Sequence, residues 1–342
     1  MTAVSALRGA RAIGLHRRRI TVGALVLLVA ALFALTLCIG TTITPPSEVL
    51  RVLTGQFVPG AGFAVGELRL PRAIDALLVG LAFGMSGTIF QTMLRNVLAS
   101  PDVIGVSAGA SASAVIGITV FGASGLAVSG VAVAGALLTA GAMYLLAYRG
   151  GLSGYRLVLI GIGVAALLQA LVSFVLTRSS VSEAQDVLVW LTGSLNRSLW
   201  NQVPGLTVSL LVLVPAALLL SRSLGALQLG DDAAAGLGLR VERSRLALIL
   251  VAVALAAVAT AAAGPVAFVA LLAGPIARRV TRASDAALVP SALVGAVIVL
   301  AADFAGQHLL GTRFPVGVVT GAIGAPYLLW MLALSNRKGT GA

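Results

Sequence analysis

Lysine is almost missing from this chain: among 342 residues there is one, Lys338, followed by Gly339. A phosphate-cradling GxxxxGK[ST] loop therefore has no place in it, and any ATP it depends on must be hydrolysed on another chain. Cysteine is as scarce. The single Cys38 excludes an internal disulfide and a thiolate-based metal site. The two histidines, His16 and His308, lie far apart, no HExxH motif occurs, and neither histidine is placed to activate a nucleophile. Charge is short too, at 10% of residues, and of the 11 acidic groups only Asp75 and Asp303 fall inside long apolar runs. A gradient-coupled transporter needs acidic groups near the bilayer midplane, so these two are the whole supply.

What remains is apolar. Hydrophobic residues make up 59% of the chain and the mean hydropathy is +1.05, values that a soluble chain of this length does not show. In a soluble protein the net charge of +12 would point to nucleic acid. Here the arginines sit in short gaps between apolar runs, where they act as topology signals.

Runs near the bilayer-spanning length of about 20 residues lie at 20–40, 72–93, 103–121, 125–148, 156–177, 203–221, 245–263, 265–280, 288–307 and 315–335. The first follows Arg8, Arg11, Arg17, Arg18 and Arg19 and is too long for a cleaved signal core. Leu37 before Cys38 also spoils a lipoprotein cleavage site. With the N-terminus inside, 17 of the 23 Lys/Arg residues fall on the inner side, leaving Arg51, Arg69, Arg72, Arg178, Arg197 and Arg313 outside. That bias predicts an all-α polytopic membrane protein of about ten transmembrane helices with both termini inside. The expected organisation is a basic tail over 1–19, a membrane domain over 20–335 with a long inner loop at 224–246, and a short tail over 336–342.

Several segments carry more than hydropathy. In "GELRLPRAIDALLVG", residues 66–80, Pro71 marks a helix start. Arg69 and Arg72 then sit at the positive end of that helix, which disfavours each by about 0.3–1 kcal/mol, so something beyond the helix must hold them. Asp75, one turn inside Arg72, is expected to pair with it at i, i+3, a coupling-ion site being the alternative; Asp303 is equally open. The run 265–280 is interrupted by Gly264, Pro265, Gly274 and Pro275, and is either a broken pathway wall or a kinked packing helix. Small residues recur four apart in the third run, at Gly105 and Gly109 and at Ser107 and Ser111, as close helix packing requires. In the inner loop Asp231 can cap a short helix starting at Asp232, with Gly236 and Gly238 ending it. Leu229, Leu237 and Leu239 would then stand on a water-facing segment, as a peg for a partner's groove or as an ordinary folded-back loop. The outer stretch 182–202, with Trp190 and Trp200, reads as an interfacial helix or as a lid over a pathway.

The stretch "RLPRAIDALLVGLAFGMSGTIFQTMLRNVLASPDVIGVSAGA", residues 69–110, resembles the FecCD family of permeases of ATP-binding-cassette (ABC) importers, which take up ferric siderophores, haem or vitamin B12. The resemblance continues through "WLTGSLNRSLW", "LGDDAAAGLGL" and "FPVGVVTGAIGAPYLLW", and covers nearly everything beyond the first run. It implies the type II ABC importer fold, with ten helices per subunit and two permease subunits, identical or related, around a pathway. The implied partners are an ABC ATPase dimer, an extracytoplasmic substrate-binding protein and a ferric siderophore as cargo, in the bacterial cytoplasmic membrane. No cofactor is implied on this chain, ATP and Mg belonging to the ATPase. By the same resemblance Arg69 and Arg72 dock the binding protein. Asn96 and Leu98 match the cytoplasmic gate, and Gly230, Asp231, Asp232, Ala235, Gly236, Leu237, Gly238 and Leu239 match the loop that seats in the ATPase. A third docking arginine of the family falls here on Gln307, with Arg313 as its substitute, which suggests one half of a heterodimer. Haem or cobalamin import is the alternative cargo, and an ion-coupled secondary transporter the alternative class.

Overall fold

The computed structural model describes residues 3–148, 154–282 and 287–339. Arg149 of the expected inner arginines, and residues 1–2 and 340–342 of the expected tails, lie outside them. The chain runs through α1 (Ala3–Cys38), α2 (Pro46–Leu53), a wide-turn helical lead-in (Gly62–Arg69), α3 (Leu70–Met93), α4 (Val106–Phe121), α5 (Leu126–Ala147), α6 (Gly154–Arg178) and α7 (Val181–Leu191). It continues through α8 (Val203–Leu219), α9 (Ser221–Gln228), α10 (Asp231–Gly236), α11 (Val241–Ala263), α12 (Val269–Thr281), α13 (Leu288–His308) and α14 (Val316–Gly339). Each of the ten apolar runs forms a helix over most of its length. Among the described residues six helices are long and apolar enough to cross a bilayer, seven when α8 and α9, bent by 44° at their junction, count as one span. The others have shorter apolar stretches: α4 has 16 residues, α12 only 13, and the apolar part of α14 spans Val316–Met331.

The shortness of α12 has a cause in the sequence. Gly264 at φ 72° ends α11, and Phe268 at φ 64° delays the next helix, so residues 264–268 form irregular backbone. At a rise of 1.5 Å per residue α12 is about 20 Å long, roughly two thirds of a hydrocarbon core. The turn after α7 covers the missing third. Ser194 N–H donates to the Ala263 carbonyl at 2.7 Å, and Gly317 N–H donates to the Gly193 carbonyl at 3.0 Å, so this turn is stitched both to the break and to the start of α14. The 265–280 run is thus broken at its start, and the end of the 182–202 stretch packs on the break.

The centre of the bundle is α3, buried almost throughout, with Phe83, Met85, Ile89 and Phe90 closed off by α11, α12 and α13. Its glycines set the distance: a Cβ on Gly87 would fall on the Ala270 carbonyl of α12, and one on Gly84 on the Ser291 carbonyl of α13. Lipid gives no hydrophobic drive for helices to associate, so such backbone approach supplies the dispersion contacts that hold them. The stripe on α4 divides its labour. Gly109 fits against Thr139 and Gly135 of α5, while Ser107 and Ser111 turn to a cavity. At the periphery α5, α6 and α8 expose Leu138, Leu145, Leu167, Leu211 and Leu219 outward.

Candidate functional site

Three places bring polar groups together: the outer end, a cavity at mid-depth and the inner end. At the outer end the lead-in and the start of α3 deliver Arg69 and Arg72, and each cation is held. The Arg69 guanidinium donates to the carbonyls of Leu37 at 2.9 Å and Thr42 at 2.8 Å and to the Thr44 hydroxyl at 3.1 Å. Leu37 belongs to the last turn of α1, whose unpaired carbonyls and negative dipole end attract a cation. Arg72 makes a two-pronged contact with Asp303 of α13, Nε to Oδ2 at 2.7 Å and Nη2 to Oδ1 at 2.6 Å, and its Nη1 donates to Asn196 Oδ1 at 2.8 Å. Gln307 joins the same Asn196 oxygen at 3.2 Å.

The expected Arg72–Asp75 pair does not form. Asp303, 231 residues away along the chain, takes the guanidinium at both prongs, a geometry that one carboxylate three residues along the same helix cannot match. Asp75 turns inward and is wholly buried beside the Ser198 hydroxyl, its carboxylate oxygens without a hydrogen bond among the described residues. Arg313 is exposed at the turn before α14 and has no ion pair among the described residues. Trp200, in the stretch between α7 and α8, donates its indole N–H to the Gly66 carbonyl at 2.8 Å and so ties that stretch to the lead-in.

A cavity of about 430 Å³ opens between the 100–111 stretch and the α11–α12 break. Ser100, Asp102, Ser107 and Ser111 line one wall; Pro265, Phe268 and Leu271 line the other, with Gln169 and Leu191 beside them. The Ser107 hydroxyl donates to Asp102. Nothing in the letters marked Asp102, because the cavity beside it is closed by residues 265–271, far away in sequence. The wall is small, apolar and hydroxyl-bearing, suited to sliding contact with a large solute rather than to chemistry on it.

At the inner end, α3 stops at Met93 and the chain turns through Arg95, Asn96 and Leu98, all exposed. Asn96 Oδ1 accepts from Leu98 N–H at 2.9 Å and closes a local turn that presents both side chains outward. Opposite lies the inner loop, more structured than its letters suggest. Residues 221–228 form α9, with Leu224 and Leu227 buried, before α10 begins. Asp231 is not the cap. Gly230, at φ 113°, occupies that position, and the Asp231 carboxylate inside the first turn accepts from Arg245 of α11 at 2.8 Å at both oxygens. Gly238, at φ 84°, supplies the left-handed end: its N–H bonds to the Ala235 carbonyl and that of Leu239 to the Ala234 carbonyl. Leu229 and Leu237 are 67% and 69% exposed, as expected of a peg, whereas Leu239 packs partly into the core. Asp232, Ala235 and Gly236 stand exposed beside them.

The profile of the FecCD transport family matches residues 26–333. The chain belongs to this family. It is 41% identical over 294 residues, 85% of this chain and 89% of the relative, to the ferric enterobactin transport system permease protein FepG of Escherichia coli (strain K12). It is 42% identical over 310 residues to the achromobactin transport system permease protein CbrC of Dickeya dadantii (strain 3937), covering 90% of this chain and 89% of that one. Among solved structures, a metal-chelate type ABC transporter in an inward-facing conformation superposes with a TM-score of 0.82 at 26% identity, over 91% of this chain and 98% of that chain. As a member of the FecCD family, the chain is a multi-pass membrane protein with a transport role rather than a catalytic one.

Proposed function

We propose that this FecCD-family chain is the membrane-spanning subunit of an ABC importer that moves a ferric siderophore inward across the bacterial cytoplasmic membrane. The observation that carries the reading is the superposition, over nine tenths of the chain, on a metal-chelate type ABC transporter. The names of the similar FepG and CbrC proteins, which refer to enterobactin and achromobactin transport, support the cargo class. A second permease copy or a related permease completes the pathway, the wall around Asp102 and Phe268 facing it across the subunit boundary.

The chain's own residues divide the work by depth. Outside, Arg313 offers a cation without an ion pair, Arg69, bonded only to neutral oxygens, adds positive potential, and Arg72, its charge balanced by Asp303, can dock an acidic group only by exchanging that partner, so that together they orient an extracytoplasmic binding protein carrying acidic groups. Inside, Gly230 to Leu239 seat in an ATPase with Leu229 and Leu237 as the apolar contact, and Asn96 and Leu98 narrow the inner exit. ATP and Mg are held by that ATPase, whose closure shifts α10 and reorients the helices around the cavity.

Uptake into proteoliposomes tests the reading. With ATPase and binding protein present, ferric siderophore enters only when ATP is supplied on the ATPase side. Uptake that persists without the ATPase and follows an ion gradient overturns the importer reading, and ATP-driven entry of haem or cobalamin in place of the siderophore overturns the cargo.

A further inference from the structure

Arg95 stands where the turn after α3 meets the inner loop. It is the second residue beyond α3, in the turn that carries Asn96 and Leu98, and its φ of 49° is one that non-glycine residues rarely adopt. That conformation aims the guanidinium away from the membrane domain and across to the inner loop. Nη2 donates to the Leu227 carbonyl at the end of α9 at 3.2 Å and lies 3.6 Å from Asp231 Oδ1 in the first turn of α10. Gly230 faces the same guanidinium at ordinary contact distance, and it is its φ of 113° rather than crowding by Arg95 that calls for glycine there. On its other side Asp231 is fixed by Arg245 of α11.

We propose that Arg95 is a positioning residue that transmits displacement of α10 to the Asn96–Leu98 turn, so that ATPase closure and the inner exit move together. The proposal rests on the importer reading. Two physical features support transmission over static bracing. The Arg95 and Asp231 side chains are 50% and 52% exposed, and an ion pair so wetted is weak enough to loosen and re-form within a transport cycle. The turn it pulls is short and bonded within itself, Ala99 N–H to the Asn96 carbonyl at 3.1 Å and Leu98 N–H to the Asn96 side chain, and it hinges on the end of α3 through Asn96 N–H to the Gln91 carbonyl at 3.1 Å. A shift at residue 95 therefore carries residues 96–98 with it. Arg245 is the complementary anchor, because it holds Asp231 to α11 and keeps α10 from sliding without its bundle.

The test uses the whole complex, with ATP hydrolysis and ferric siderophore uptake measured in parallel. R95A is expected to keep the ATPase bound and basal hydrolysis within twofold of wild type, while uptake per ATP falls at least fivefold. R95K, which restores the charge without the planar fork, is expected to recover most of the ratio. Should R95A fail to purify, the neutral R95Q replaces it and is read in the same way. An unchanged ratio of uptake to hydrolysis overturns the proposal. So does a proportional loss of both activities, which is the mark of a static brace. Absence of ATP-driven uptake in the wild-type complex would count instead against the importer reading on which this stands.

Discussion

Arg72 and Asp303 form the least exposed ion pair of the outer end, at 17% and 2% side-chain exposure. Taking away either partner leaves the other charge desolvated, which costs roughly 3–5 kcal/mol, whereas removing both spares that penalty. R72A and D303A are each expected to lower the thermal midpoint of the detergent-solubilised protein by several degrees, and the double variant by clearly less than the sum of the two. Additive losses in melting curves would mean that the two groups do not meet. The pairing also shows where sequence reading stops. Asp75 is the only acidic residue within helical reach of Arg72, so local spacing selects it. The true partner arrives from α13 through the close approach of Gly80, Gly84 and Gly295, a relation that no interval in the letters records. Asp102 escaped notice for the same reason.

Among the elements, α3 depends on its glycines and α7 on its cap. G87A places a methyl group on the Ala270 carbonyl, and since backbone cannot step aside the expected loss is at least the 1–3 kcal/mol typical of overpacking, visible as reduced yield and melting temperature. G163A, where nothing lies near the added carbon, is the matched control and is expected to behave as wild type. The cap of α7 is reciprocal: Glu183 N–H donates to Ser180 Oγ, and Ser180 N–H donates to Glu183 Oε2 at 2.9 Å. That backbone N–H, with help from the Ser180 hydroxyl, holds the Glu183 carboxyl below its ordinary value of 4.5. A lowered folded-state value means that the stabilisation is present above pH 4.5 and fades as pH falls through the lowered value. Amide protection at residues 181–184 is therefore expected to drop on acidification below that point, and E183Q to abolish the dependence. Helix positions were legible because apolar runs of spanning length leave few alternatives. The bend between α8 and α9 and the 13-residue length of α12 were not, since both depend on what packs beside them.

At the scale of the molecule, the arginine distribution already assigned the two ends, and the structure sorts function along the same axis. Held cations and α7 with the turn that follows it lie outside, a cavity walled by small and apolar residues lies at mid-depth, and a short helix with bare leucines lies inside. Hydropathy showed that polarity; the cavity required the α11–α12 break to be folded against the 100–111 stretch. The central claim is that this chain is driven by an ATPase seated on α10. Co-purification from mild detergent with wild type and with L229D/L237D tests it most directly, because both leucines are more than two thirds exposed and their replacement leaves the bundle intact. The account predicts that a soluble ATPase is retained by the wild-type chain and lost by the variant, with the melting temperature unchanged. An ATPase held equally by both, or a wild-type chain that purifies alone, would contradict it.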